Sequence, residues 1–273
     1  MKKALLVGIN YPDTDHSLRG CVNDVMAINE ILVNKLGFSD PRLVRMLTDK
    51  SATTANILER LEWLVKDAVP GDVLYFHYSG HGAQVCMTDY DNLSEPDGLD
   101  EVIVPYDMNW RDLMIKDKDL KRIFNSVPSG VNLTVTLDCC HSGDGLRDFA
   151  PPLELQGPTR SRSITPPVDI ANRAYGLELE PKEKALVDNK DQVGLLIAGC
   201  KSYQTSADAW IQSENKYYGA LTYYMTQVLK NSNYQINNQD LVMGIVNQLA
   251  QNGYPQQPEL DGQSLLFVNQ FLA

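Results

Sequence analysis

Short, unbroken apolar runs alternate with amphipathic segments along the first two-thirds of the chain, and this alternation limits the fold more than any other feature. The run "ALLVGI" at 4–9 is typical of a buried strand, and "NDVMAINEILVNKLG" after it has helical spacing with a glycine stop. Four further runs are predicted as strands two to five: "RLVRML" (42–47), "DVLYFHYS" (72–79), "EVIVPY" (101–106) and "VNLTVTLD" (131–138). Such an order predicts an α/β fold with a largely parallel sheet between helices.

A change in composition interrupts this alternation between Leu146 and Asp191. The stretch holds six of the 14 prolines and has no periodicity, which is typical of a long functional or disordered loop. After it we predict a sixth strand, "VGLLIAGC" at 193–200, two helices around 221–229 and 241–249, and a final strand, "SLLFV" at 264–268. The chain is therefore predicted to be one α/β domain interrupted by a flexible linker.

Charge and cysteine content restrict the expected partners and compartment. The 273 residues carry a formal net charge of -11, so nucleic acid is not an expected partner and cationic ligands are favoured. Five cysteines are an odd number, which argues against a disulfide framework and favours a reducing compartment. The first apolar run stops at Ile9, too short for a signal peptide or a membrane span, so we expect a cytoplasmic protein without a membrane partner.

Two polar clusters follow predicted strands, where an open parallel sheet binds its ligands. The stretch "HYSGHGAQ" closes the third strand and places His81 between two glycines, and "DCCHSGDG" closes the fifth strand. A histidine and a cysteine at neighbouring strand ends are suited to act as base and nucleophile. His77 lies four residues before His81 on a strand, where such a pair is about 13 Å apart, so a metal role is not expected.

Five stretches together resemble the caspase-like cysteine peptidases, specifically the metacaspases and their prokaryotic relatives, the orthocaspases. They are "LRGCVNDV" (18–25), "YSGHG" (78–82), "DGLDEVIVPYD" (97–107), "DCCHSG" (138–143) and "AGCKSYQTSADA" (198–209). The resemblance implies one caspase-like domain, an α/β/α sandwich with a mostly parallel sheet of six or more strands. Residues 1–145 would form the part like a caspase large subunit, 146–191 the flexible linker, and 192–273 the part like a small subunit.

The resemblance also implies the catalytic residues. His81 corresponds to the general base and Cys140 to the nucleophile, and the backbone N–H groups of Gly82 and Cys140 correspond to the oxyanion hole. Side chains alternate between the faces of a strand, so Asp138 and Cys140 share one face and Cys139 takes the other. Cys139 is therefore expected to be a buried, inert thiol.

In metacaspases the pocket for the residue before the cleaved bond accepts arginine or lysine and is lined by acids. The matching positions here are Asp24 and Asp138, with Ser79 and Cys21 near them. A guanidinium binds a carboxylate with two hydrogen bonds, so the pair of acids favours Arg at least as much as Lys. Without the family match, a helix-start acid would be the preferred interpretation of Asp24, and Cys21 would fit a core thiol.

Many metacaspases bind calcium through aspartates outside the catalytic centre. Two matching positions are acidic here, Asp100 and Asp117, whereas Lys118 and Arg147 stand where the family has further acids. Calcium needs six to eight oxygen ligands, and two cations in that shell would repel it. We therefore favour no calcium requirement and no other cofactor; the alternative is that Asp119, Asp144 or Asp148 supplies the missing ligands if the loops shift.

The predicted function is endopeptidase cleavage of protein or peptide substrates after Arg or Lys, through a thioacyl-enzyme. The resemblance implies that the protein acts as a monomer. Basic residues of the linker are either ordinary solvated side chains or sites of self-cleavage, namely Arg160, Arg162, Lys182 and Lys184. The alternative is a catalytically silent caspase-like module that binds proteins, which would have no need of both the histidine and the cysteine. A hydrolase of small molecules is disfavoured by the acidic pocket.

Overall fold

A six-stranded sheet forms the centre of the protein. The computed structural model describes residues 1–86, 99–140, 159–167, 170, 194–201 and 204–273. The strands of the sheet are β1 (Lys2–Gly8), β2 (Val44–Thr48), β3 (Val73–Ser79), β7 (Asn132–Asp138), β9 (Leu195–Ala198) and β12 (Glu259–Gly262). Their order is β12-β9-β7-β3-β1-β2, and within this sheet only β12 runs antiparallel to its neighbour. The predicted parallel α/β sheet is confirmed.

Helices cover both faces of this sheet because its central strands are apolar on both faces. The helices are α1 (Cys21–Asn34), α2 (Thr54–Val65), α3 (Asp117–Phe124), α4 (Ala220–Asn231), α5 (Asn238–Gln251) and the single turn α6 (Ser264–Phe267). A first hydrophobic cluster packs α2 and α3 against the sheet, and a second cluster packs α1, α4 and α5 against the opposite face. The result is the expected α/β/α sandwich.

Two three-stranded sheets stand beside the central one. The first consists of β4 (Gly82–Cys86), β5 (Leu99–Ile103) and β6 (Ile115–Lys116), and the second of β8 (Arg160–Ser161), β10 (Ala207–Ile211) and β11 (Lys216–Gly219). The predicted fourth strand, "EVIVPY", overlaps β5 and so does not belong to the parallel sheet. It pairs antiparallel with β4, which follows β3 directly and supplies a nearer partner.

The last predicted strand was wrong. The segment "SLLFV" forms α6, in which Leu265 is 79% exposed, and the true final strand is β12, with the sequence "ELDG". Among the described strands β12 lies at the edge of the sheet and pairs with β9 alone, and its acids are exposed to solvent. A search for apolar runs therefore passes over it.

Within the described ranges, none of the helices has both the length and the apolar character needed to cross a bilayer.

Part of the predicted linker is described by the structure. Residues 159–167 adopt an extended conformation, and β8 within them pairs antiparallel with β10. This pairing carries part of the linker to the carboxyl edge of the central sheet.

Candidate active site

The carboxyl ends of β3 and β7 bring the two candidate catalytic residues to one edge of the sheet. These strands pair in parallel, with Ser79 opposite Asp138 at the last position of each. His81 and Cys140 each follow two residues later, and their exposed fractions are only 3% and 1%. The edge predicted from the sequence pattern is thus the place where both side chains lie.

The imidazole of His81 has a defined orientation and protonation. Its Nε2 donates to the carbonyl oxygen of His16 at 2.7 Å, which leaves the lone pair on Nδ1 because a carbonyl can only accept. Burial lowers the pKa of His81 to about 4, although the backbone groups of His16 and Arg162 oppose the shift. Nδ1 is buried and has no hydrogen-bond partner among the described residues. A neutral imidazole with a free lone pair can accept a proton.

His16 lies in the turn between β1 and α1, where its side chain is exposed. Its backbone carbonyl nevertheless holds the imidazole of His81. The backbone N–H of His81 also donates to the hydroxyl of Tyr11 at 3.0 Å. No sequence pattern identifies an orienting group of this kind, because any residue type supplies a carbonyl.

The extended segment 160–166 lies across this edge, and the backbone of Arg162 is bound on both sides. Its carbonyl oxygen accepts from the N–H groups of Gly82 at 3.0 Å and Cys140 at 3.2 Å. Its own N–H donates to the carbonyl of Ser206 at 3.0 Å. The two donors predicted as an oxyanion hole therefore converge on one peptide carbonyl, that of Arg162.

The side chain of Arg162 fills a buried acidic pocket and has no exposed surface. Its Nη2 lies 2.7 Å from Asp24 Oδ2 and 3.1 Å from Asp208 Oδ1, and its Nη1 lies 3.2 Å from Asp138 Oδ2. Nη1 also lies 3.4 Å from Ser79 Oγ. Three carboxylates thus surround one guanidinium, and all of them are fully buried.

The carboxylates are held in turn by the elements that carry them. Asp24, on α1, accepts from the N–H of Gly219 at 2.9 Å, and burial together with the nearby charge of Asp138 raises its pKa to about 7. Asp138 accepts from the N–H of Thr222 at 3.0 Å and from its hydroxyl at 2.7 Å. Asp208 accepts from the N–H of Gly20 at 2.9 Å. Backbone N–H groups and one hydroxyl group therefore hold the three carboxylates in place around the guanidinium.

Sequence reasoning missed two residues of this pocket. Asp208 lies in the quoted stretch "AGCKSYQTSADA", so its motif was recognised but its contact with the pocket was not. The second residue is Gly219, which borders the pocket. A Cβ built there would collide with the carboxylate of Asp138 and the guanidinium of Arg162, so only glycine fits this position. A single glycine among 18 has no signal of its own in the sequence.

The other predicted residues separate into those at the pocket and those away from it. Cys21 is buried at the first turn of α1, and burial raises the pKa of its thiol, with the Arg162 cation opposing. Arg160 lies outside the pocket, where its Nη1 contacts the carbonyl and the hydroxyl of Ser17. Cys139 is 2% exposed and packs in the first hydrophobic cluster. Lys182 and Lys184 lie outside the described residues.

The thiol of Cys140 rests against the backbone of Ser206. The N–H of Ser206 contacts Sγ, and Sγ lies 3.6 Å from the Ser206 carbonyl oxygen.

The candidate calcium positions contact cations of the chain itself. Lys116 Nζ lies 2.7 Å and Lys118 Nζ 3.6 Å from Oδ2 of the buried Asp100. Asp117 pairs with Lys121 at 2.8 Å. Arg147 lies outside the described residues. The carboxylate of Asp100 thus contacts two ammonium groups of the chain itself.

A parallel sheet covered on both faces, with a histidine and a cysteine at its carboxyl edge, defines a caspase-like α/β protein. The profile described as "Metacaspase, peptidase C14 domain" matches residues 2–148. The chain belongs to this metacaspase family and is therefore a caspase-like cysteine peptidase.

Individual relatives agree with this assignment. The chain is 32% identical to Metacaspase-1 of Schizosaccharomyces pombe, in an alignment that covers 98% of this chain and 68% of that protein. It is 31% identical to Metacaspase-9 of Arabidopsis thaliana, covering 93% and 91%. The crystal structure of protein GSU0716 from Geobacter sulfurreducens superposes with a TM-score of 0.69 at 25% identity, covering 99% and 98%.

Proposed function

We propose that this protein is an endopeptidase that cleaves after arginine and that its first substrate is its own bond between Arg162 and Ser163. One observation carries the proposal: the carbonyl of Arg162 accepts two backbone hydrogen bonds while its guanidinium fills the acidic pocket. A peptide bond held by both its carbonyl and its preceding side chain is positioned for attack.

In the first half of the reaction, His81 Nδ1 takes the proton of the Cys140 thiol and Sγ attacks the carbonyl carbon of Arg162. The N–H groups of Gly82 and Cys140 stabilise the negative charge that develops on the oxygen. The bond from carbon to the nitrogen of Ser163 then breaks, and the imidazolium returns its proton to that nitrogen. The products are a thioester on Cys140 and a new amino terminus.

In the second half, His81 removes a proton from a water molecule that attacks the thioester. Collapse of the intermediate releases Arg162 as a carboxylic acid and restores the thiol of Cys140. His16 acts as a positioning residue, because its carbonyl keeps Nδ1 available for both proton transfers.

The pocket geometry supports a preference for arginine over lysine. The two terminal nitrogens of the guanidinium contact different carboxylates, Nη2 those of Asp24 and Asp208 and Nη1 that of Asp138. An ammonium is a single compact charge and cannot reach all three at such distances. An acidic side chain would be repelled by the same groups.

We expect Asp208→Asn to lower the preference for arginine. The measurement is kcat/KM of the self-cleaved protein on three reporter peptides that differ only in having Arg, Lys or Asp before the cleaved bond. The wild type should have a higher kcat/KM on the Arg peptide than on the Lys peptide, and it should not cleave the Asp peptide. In the variant, kcat/KM on the Arg peptide should fall about tenfold, which is the cost of one charge-assisted hydrogen bond, and kcat/KM on the Lys peptide should fall less.

The matched control is the same substitution at an exposed acid of the edge strand, Asp261→Asn. It should leave the ratio of kcat/KM on the Arg peptide to kcat/KM on the Lys peptide unchanged. An unchanged ratio in Asp208→Asn would refute the role of that residue. A wild type that cleaves none of the three peptides and leaves its own chain intact would instead favour the silent protein-binding module.

We further propose that the reaction needs no calcium, since Lys116 and Lys118 already neutralise Asp100. An excess of the chelator EGTA should change the rate of self-cleavage by less than about twofold, followed on a denaturing gel. Loss of cleavage in EGTA, with recovery on adding calcium but not magnesium, would show that this proposal is wrong.

Action as a monomer in a reducing, cytoplasmic compartment remains part of the proposal. The odd number of cysteines supports the reducing compartment, and action as a monomer follows from the family resemblance.

A further inference from the structure

The segment that follows Arg162 continues across the protein with alternating burial. Ile164 and Pro166 are buried, Ser163 is half-buried, and Thr165 is exposed. Alternation with a period of two is typical of an extended strand that lies on a surface, so every second side chain points into the protein. Binding therefore extends beyond the bond that we propose is cleaved.

We propose that a second specificity subsite, on the leaving-group side, selects an apolar residue two positions after the cleaved bond. Ile164 occupies this position in the chain's own segment. The inference rests on the proposed function, because the position is counted from the bond after Arg162.

Backbone contacts fix the register of this segment. The N–H of Ile164 donates to the carbonyl of Gly82 at 3.0 Å, and Ser163 forms a bridge with the same glycine. The N–H of Gly82 in turn holds the carbonyl of Arg162. One residue thus binds the chain on both sides of the Arg162–Ser163 bond, so an arginine in the acidic pocket places the second following residue at one defined point.

The surroundings of that point are apolar. The side chain of Ile164 is 7% exposed and belongs to the first hydrophobic cluster, which also includes Ala83, Val104 and Cys139. A charged side chain placed among these apolar residues would lose its water, and the described side chains of the cluster offer it no ionic partner. Substrates with an apolar residue at this position are therefore favoured, and those with an acid or a lysine are disfavoured.

Self-cleavage of the full-length chain tests the subsite directly. Ile164→Asp should slow the first-order rate at the Arg162–Ser163 bond by at least about tenfold, and Ile164→Val by only a few-fold. Thr165→Asp adds the same charge one residue later, on an exposed side chain, and is the matched control with a rate near that of the wild type. Equal rates in Ile164→Asp and the wild type would overturn the proposal.

Peptides keep the test valid if Ile164→Asp fails to fold. The parent peptide is "TASRSITP", the chain's own 159–166 with Arg160 changed to Ala so that one arginine remains, and its variants are "TASRSDTP" and "TASRSIDP". The self-cleaved enzyme should cut the parent and "TASRSIDP" at similar rates and "TASRSDTP" at least about tenfold more slowly. Similar rates for all three would reject the subsite but keep cleavage after arginine, whereas no cleavage of peptides or chain would reject the proposed function itself.

Discussion

Cys140→Ala should leave the chain in one piece, whereas Cys139→Ala should be cut at close to the rate of the wild type. The two cysteines are adjacent in the sequence, but only the backbone N–H of Cys140 contacts the carbonyl of Arg162. Cys139 is packed in the hydrophobic cluster, where burial raises the pKa of its thiol and keeps it protonated. Removal of a nucleophile typically lowers the rate by more than about 1000-fold.

The measurement is the loss of the intact chain with time on a denaturing gel. Because both variants replace a cysteine by alanine, each is the control for the other. Thermal unfolding of each variant excludes a folding defect as the cause of lost cleavage. Equal loss of cleavage in two well-folded variants would contradict the assignment of the nucleophile. Full cleavage in Cys140→Ala would contradict self-cleavage by this site.

Arg162→Ala should both abolish self-cleavage and destabilise the intact protein. Measured in the Cys140→Ala background, the free energy of unfolding should fall by about 3–5 kcal/mol, because three buried carboxylates lose their cation. Arg160→Ala removes the same side chain two residues earlier, outside the pocket, and should cost less than about 1 kcal/mol. Chemical denaturation of the three proteins gives the comparison.

The destabilisation should also depend on pH. The pKa of Asp24 is raised to about 7 even with Arg162 beside it, so the folded protein binds a proton more tightly than the unfolded chain does. Its contribution to stability is therefore lost as pH rises from about 4 to 7. Without the guanidinium the carboxylates repel more strongly, so the loss in Arg162→Ala should be larger at pH 8 than at pH 5. Equal stability of Arg162→Ala and Arg160→Ala would show that the pocket does not hold this arginine.

The fold was largely predictable because it follows from local patterns. Apolar runs predicted β1, β3 and β7 to within a residue or two, and parallel pairing then placed His81 and Cys140 at one edge. The search for apolar runs failed to predict strands and helices correctly where the side chains are buried on one face only or not at all. The polar edge strand β12 resembles a loop, and "SLLFV" resembles a strand although its Leu265 is exposed.

The site was predictable only where a motif names its residues. His81, Cys140, Asp24 and Asp138 follow from the family resemblance, and all four side chains lie at or beside the bound segment. Asp208 reaches the pocket through the pairing of β8 with β10, which depends on tertiary structure.

The choice between Arg160 and Arg162 also required the structure. Both are basic residues of one proline-bounded stretch, and nothing local distinguishes them. Pairing of β8 with β10 sets the register, and the register directs Arg162 into the pocket and Arg160 toward Ser17. Composition and residue spacing cannot predict a difference of two residues in strand register.

Mass spectrometry of the wild-type protein after incubation tests the central claim most directly. The expected products are a fragment of residues 1–162 that ends in the carboxylate of Arg162 and a fragment that begins with the amino group of Ser163. Neither should form in Cys140→Ala. A first cut at Arg160, Lys182 or Lys184, or fragments that appear equally in Cys140→Ala, would contradict the claim that this site is built around the bond between Arg162 and Ser163.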